Sequence, residues 1–235
     1  MVDLSFIKSY VHRQIVTEIY HKTMYDNEII GLLLQGSVAR GDCYQSSDID
    51  IYVLLRDELN RPFFSEYRDN ILVEIKYANF EHSTNNCKVT PMGIYNFLDS
   101  VILFDHQGKL KELRELAKNT FHQYRTTQSE IKSIAYWLES SLVKIKAANE
   151  EQDDLKASFV VTTTSWQMLE GIWAVNNKPV PPNGSVLFHL RDLERIPENM
   201  TEKIKFLFTG NVKERTETAI EMIEWTIGQL SATDD

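Results

Sequence analysis

GSVARGDCYQSSDIDIYVLL, residues 36 to 55, sets a glycine–serine pair, ten residues of mostly polar loop, and two aspartates split by one isoleucine ahead of an apolar run. The stretch DIDIYVLL, 48 to 55, alternates acidic and apolar residues before turning fully apolar, which reads as a strand. Successive side chains of a strand point to opposite faces, so Asp48 and Asp50 share one face, and Ile49 and Ile51 the other. Two adjacent carboxylates repel and are costly to leave unpaired. A hard divalent cation removes the difficulty, and Mg²⁺ in particular favours one or two carboxylates completed by waters and substrate phosphates. Gly36 and Ser37 close the preceding apolar run EIIGLLLQG, 28 to 36, a second strand, at the expected start of a helix. Free backbone N–H groups and a small hydroxyl can approach phosphate oxygens at such a turn.

A third strand follows in NILVEIKYANF, 70 to 80, with Leu72, Glu74 and Lys76 on one face and Val73, Ile75 and Tyr77 on the other. Glu74 interrupts apolar residues, where a charge is expensive unless it faces a metal, a partner or water. With this strand beside the second, Asp48, Asp50 and Glu74 converge. Such a triad holds two metal ions, or one metal while Glu74 acts as general base on an incoming hydroxyl.

Outward from these strands, residues 4 to 25 read as a helix, with Phe6, Ile7, Val11, Ile15, Ile19 and Tyr20 near the 3.6-residue period. A short helix is expected near Pro91 to Leu98, a further strand in SVILFD ending at Asp105, and a helix in KLKELRELAKN after the turn HQG. The order predicts an α+β fold, a small mixed β-sheet with flanking helices. Beyond about residue 123 the pattern becomes helical. Long amphipathic helices are marked by Ile131, Ile134, Leu138, Leu142 and Ile145; by Leu155, Phe159, Trp166, Leu169 and Trp173 within 153 to 175; and by Ile220, Ile223, Ile227 and Leu230. Residues 1–122 and 123–235 are therefore expected to form a sheet domain and an all-α helical bundle. KPVPPNGS, 178 to 185, carries three of the six prolines and is expected to be a stiff loop.

The chain has 235 residues and a formal charge of −9, which disfavours a nucleic-acid surface, since phosphate backbones are bound by clustered Lys and Arg. Cationic small molecules are the better electrostatic match. No stretch approaches the roughly 20 apolar residues of a membrane span, and MVDLSFIKSYVHR lacks the basic-then-apolar layout of a secretion signal. A cytoplasmic protein without nucleic-acid or membrane partners is the expectation. Cys43 and Cys87 are far apart and suggest neither a disulfide nor a zinc site. The histidines at 12, 21, 82, 106, 122 and 189 show no metal spacing and are read as surface or capping residues, and the tail SATDD as disordered.

The GS pair, the ten-residue spacer, DID and the later strand acid together resemble the nucleotidyltransferase superfamily that includes DNA polymerase beta. A sheet half followed by a helical half is also similar to the aminoglycoside nucleotidyltransferases. The resemblance implies transfer of a nucleoside monophosphate, AMP from ATP, to a hydroxyl of a small molecule such as an aminoglycoside antibiotic, with Mg²⁺ and release of pyrophosphate. It places Gly36 and Ser37 on the triphosphate, Asp48 and Asp50 on Mg²⁺, and Glu74 as third ligand or catalytic base. Arg40 in SVARGD is read as a phosphate contact or as the partner of Asp42, and Lys178 in NNKPVPP as the triphosphate lysine of the helical half. Glu170, Trp166 and Trp173 are read as an acceptor pocket or as core. The competing expectations are nucleotidylation of a protein partner, as in minimal antitoxin-like members, and a non-catalytic nucleotide-binding module. Relatives of both monomeric and homodimeric kinds leave the oligomeric state open.

Overall fold

The computed structural model describes residues 2–232. Two compact units divide the chain: the first runs to Gln123 and includes Pro181–Phe188, and the second comprises Tyr124–Val180 and the chain from His189 onward.

The first unit is built on five strands among the described residues, β1 (Ile29–Gln35), β2 (Ile49–Leu55), β3 (Phe64–Arg68), β4 (Ile71–Ala78) and β5 (Val101–Asp105), in the order β3-β4-β2-β1-β5. The sheet is mixed: β2 runs parallel to β4, and the other pairs are antiparallel. Every residue of β1 is buried, as expected of a central strand covered on both faces. On one face, helix α1 (Tyr10–Thr23) packs Ile15, Val16 and Ile19 against Leu32, Leu34, Ile49, Ile51, Val53 and Val73. On the other, Leu33, Tyr52 and Leu54 meet Cys87 of α3 (Phe80–Val89), Tyr95 and Phe97 of α4 (Tyr95–Leu98), and Leu110 and Leu113 of α5 (Lys109–Gln123). Each fully buried aliphatic side chain contributes about 1.5–3 kcal/mol, so the two apolar layers fix which face of β2 carries its polar residues.

The helix expected over 4 to 25 begins only at Tyr10, where Ser9 is the N-cap and accepts from the His12 amide. Leu4 and Ile7 are buried without being helical. Strand β3 escaped the sequence reading because FSEYR is a largely exposed edge with no apolar alternation. The turn into β4 uses Asp69 and Asn70, both at positive φ, so the strand expected from Asn70 starts one residue later. Two residues at positive φ suit the tight hairpins that match strand twist. Helix α3 was missed for a similar reason: it is polar except where Ser83 and Cys87 turn inward.

The second unit is helical. Helices α6 (Gln128–Glu150), α7 (Asp154–Val175) and α10 (Val212–Ser231) pack on one another, with α9 (Met200–Thr209) against α10. Both α6 and α10 start with a capping box, Thr127 with Glu130 and Asn211 with Glu214, which satisfies N–H groups left open by the helix start. Gly171 lets α7 approach α10, since a methyl there would lie 2.5 Å from Thr226 Cγ2. In the segment that belongs to the first unit, the stiff loop expected through 185 instead gives way to helix α8 (Asn183–His189) directly after Pro182. A proline ring has a preset φ and no N–H to lose before a helix start. No helix among the described residues is long and apolar enough to cross a membrane. The last three residues of the SATDD tail lie outside the described residues.

Candidate active site

Backbone register does most of the assembly. Asp50 stands opposite Gln35 of β1 on one side and opposite Glu74 of β4 on the other, so the three form one row across the sheet. Parallel pairing puts register partners on the same face, and Asp48 shares that face two residues earlier. One carboxylate oxygen each from Asp48, Asp50 and Glu74 lie within 4.8 Å of one another. The face is the one covered by α3 to α5, because Ile49 and Ile51 are taken up by the α1 layer.

The strand-to-helix turn closes against this row. Gly36 opens the short helix α2 (Gly36–Arg40) with φ of +67°, and a Cβ on it would lie 2.2 Å from Asp50 Oδ2. Only glycine satisfies both conditions, a left-handed backbone and a carboxylate pressed against the α-carbon. The buried Gln35 side chain donates to the Asn96 carbonyl at 2.7 Å, tying the end of β1 to α4.

Burial is the main cause that pushes the Asp50 carboxyl above its ordinary range; the neighbouring Asp48 and Glu74 charges add to it, and Lys76 and Arg40 oppose it. Lys76 Nζ lies 3.8 Å from Asp50 Oδ1. It is a built-in counter-charge for an acidic cluster that is otherwise under-compensated. Asp48 is exposed, and Asp50 and Glu74 are partly buried.

Gly36, Ser37, Arg40, Asp48, Asp50 and Lys76 line a cavity of about 320 Å³ within the first unit. Tyr95, Asn96 and Asp99, with Pro182–Ser185, complete its wall. Glu74 meets the aspartates without lining the cavity itself. Arg40 faces the same cavity but is engaged by protein groups: its Nε sits 3.3 Å from Asp42 Oδ1, its Nη2 donates to the Gly184 carbonyl at 3.3 Å, and its guanidinium stacks 5.5 Å from the Phe188 ring centroid. It thereby fastens the 181–188 segment to the first unit.

The residues offered for the helical half lie in the second unit. Lys178 donates to the Asp192 carbonyl and, with Glu170 and Trp173, borders a separate cavity of about 230 Å³. Trp173 is core, 1% exposed, and Trp166 Nε1 donates to Glu170 Oε1 at 2.7 Å. His12 and His189, expected at the surface or in caps, are buried instead. Lys76 was legible in principle, since it shares the face of Glu74; Asn96, Asp99 and 182–185 carry no signal that would link them to the motif.

The donor set suits a hard divalent cation. It consists of carboxylate oxygens alone, one of them, on Asp50, pushed above its ordinary range by burial first and by the neighbouring acids second, with an ammonium standing nearby.

No curated protein matches the chain. Among solved structures, a nucleotidyltransferase-like protein from Exiguobacterium sibiricum is similar at 11% identity and a TM-score of 0.44, over 94% of this chain and 74% of that one. The family model described as a nucleotidyltransferase domain matches residues 20–140, more than half of the chain and all five strands. With that match spanning the glycine–serine turn and all three converging carboxylates, the chain belongs to the nucleotidyltransferase domain family.

Proposed function

We propose that the protein transfers a nucleoside monophosphate, AMP from ATP, to a hydroxyl of a small molecule, with an aminoglycoside-like polyhydroxylated cation as the acceptor class. The observation that carries this reading is the convergence of Asp48, Asp50 and Glu74 within 4.8 Å beside the Gly36–Ser37 turn. Asp48, Asp50 and Glu74 are the residues that would hold Mg²⁺, which when bound neutralises phosphate charge and orients the triphosphate. Gly36 and Ser37 present a surface without bulk to the phosphates, and the half-exposed Lys76 supplies positive charge on the same wall. The acceptor oxygen attacks the α-phosphorus in line, the new O–P bond forming as the bond to the β-phosphate oxygen breaks. The hydroxyl proton passes to a carboxylate, for which Glu74 is our assignment, and pyrophosphate leaves. The net charge of −9 favours a cationic acceptor over a nucleic acid. Lys178 and the cavity with Glu170 and Trp173 are the candidates for contributions from the helical unit.

The test is incubation with Mg²⁺, α-labelled ATP and a panel of aminoglycosides, lincosamides and candidate protein partners. Label on a small molecule supports the proposal. Label on a polypeptide moves the acceptor to a protein, and ATP binding without labelled product leaves a nucleotide-binding module.

A further inference from the structure

Asp50 is held by the sheet on both sides, whereas Asp48 precedes the first paired residue of β2, Ile49, and is exposed. Strand pairing therefore does not account for the position of one of the three acids. The peptide immediately before it is clamped elsewhere. The Ser47 carbonyl, bonded to the Asp48 nitrogen, accepts a hydrogen bond from His12 Nε2 at 2.8 Å, across 35 residues of chain. His12 is completely buried on α1, and its Nδ1 lies 2.6 Å from Ser9 Oγ. A carbonyl oxygen can only accept, so Nε2 carries the proton; in the neutral ring Nδ1 is then an acceptor and the Ser9 hydroxyl donates to it. Ser47 is fixed on its other side as well, with Oγ accepting from the Tyr44 amide at 2.9 Å and its own amide donating to the Tyr44 carbonyl at 3.2 Å.

We propose that His12 is a positioning residue: through the chain Ser9–His12–Ser47 it anchors the entry to Asp48 on the rigid α1 layer and sets that carboxylate's reach toward Asp50 and Glu74. The inference rests on the transfer reading of the three acids. It explains why a polar ring occupies a fully buried place in a layer made of Ile15, Val16 and Ile19. A side chain serving only to fill space there would be aliphatic, and one serving only to cap α1 would end at Ser9.

Amide side chains separate the clamp from the packing. In His12→Gln the terminal NH₂ reaches the position of Nε2 and can still donate to Ser47; in His12→Asn it reaches only the position of Nδ1. The full-length protein and the variants His12→Gln, His12→Asn and His12→Ala are titrated with Mn²⁺ by calorimetry, alongside thermal melts and the Mg²⁺ dependence of transfer. Expected is Mn²⁺ affinity within about threefold of wild type for His12→Gln and weakened about tenfold for His12→Asn, the range of one lost hydrogen bond, with a matching rise in the Mg²⁺ needed for half-maximal transfer. His12→Ala behaves as His12→Asn; if it does not fold, the Gln and Asn pair decides alone. Equal affinity in the two amide variants overturns the clamp while leaving the transfer reading intact. Wild-type protein that binds no Mn²⁺ overturns both. Ring ¹⁵N shifts give an independent readout: the Nε2–H tautomer is expected, and a neutral ring protonated at Nδ1 overturns the assignment.

Discussion

Replacing Asp50 with asparagine should raise stability without metal and lower it, relative to wild type, with metal. Asp50 has two like charges within 4.8 Å, opposed chiefly by the Lys76 ammonium at 3.8 Å and more weakly by Arg40, whose charge is shared with Asp42. Taking Coulomb's law between an effective dielectric constant of about 20 and that of water, each repulsion costs about 0.9–3.5 kcal/mol and the attraction returns about 1.1–4.4 kcal/mol. The balance is about 0.6–2.5 kcal/mol against the charged carboxylate, and the exposure of Asp48 and Lys76 places the outcome toward the lower end. About 1 kcal/mol corresponds to roughly 2–4 °C for a chain of this size. The pH dependence follows from the raised carboxyl of Asp50. The folded protein binds this proton to a higher pH than the unfolded chain does, so wild-type stability is lost as pH climbs through and just above the ordinary carboxylate range. Asp50→Asn lacks that loss, and the two proteins converge in acid. Adding divalent metal at about 100 times its dissociation constant stabilises wild type by about 2.7 kcal/mol, enough to invert the order. Scanning calorimetry of both proteins at neutral pH, in chelator and in saturating Mn²⁺, reads the sign directly. An Asp50→Asn protein that melts below wild type in chelator, or that gains as much as wild type from metal, refutes the electrostatic account of the site.

Asp48→Asn should abolish nucleotide transfer with the fold kept, measured by label transfer and circular dichroism; retained transfer removes its metal role. Glu74→Gln is expected to lower turnover by about 10²–10⁴-fold if the carboxylate takes the hydroxyl proton, and a loss under tenfold assigns it a lesser part. Gly36→Ala forces a methyl to within 2.2 Å of Asp50 Oδ2 in a left-handed backbone, so both metal affinity and melting temperature should fall together; an unchanged Mn²⁺ titration contradicts the close packing of turn and carboxylate. Cys87 is buried and its thiol is pushed up to about 11, while Cys43 is partly exposed. Alkylation of the native protein at pH 8 should modify Cys43 alone, as mass spectrometry of peptides would report, with Cys87 reacting only after denaturation.

Much of this site is local and so was written in the chain. Alternation in DIDIYVLL singled out Asp48 and Asp50 as a pair, although β2 starts at Ile49 and Asp48 lies just before it. An acid inside an apolar strand drew attention to Glu74, because burial of an unpaired charge is too costly to be accidental. The long helices α6 and α10 were legible from their apolar period, whereas α7, expected as a helix, buries Ala157, Val161 and Met168 and leaves Leu155 and Phe159, read as marks of its covered face, exposed. Elements with weak burial patterns were not legible: the exposed edge β3 and the polar α3 lack the periodicity that reports a covered face.

What the chain alone determined was the kind of residue and the face it occupies, since those depend on neighbours one to four positions away. Which strands lie side by side depends on contacts across the sheet, and only the fold settled that Asp50 stands between Gln35 and Glu74, with Lys76 as its counter-charge. The same holds for the wall from Asn96 and Asp99 to Pro182–Ser185, brought to the cavity from far along the chain, and for His12, whose bond to Ser47 spans 35 residues. Such pairings leave no periodic trace, because the free energy that selects them comes from packing two apolar layers on one sheet rather than from any segment's own preference.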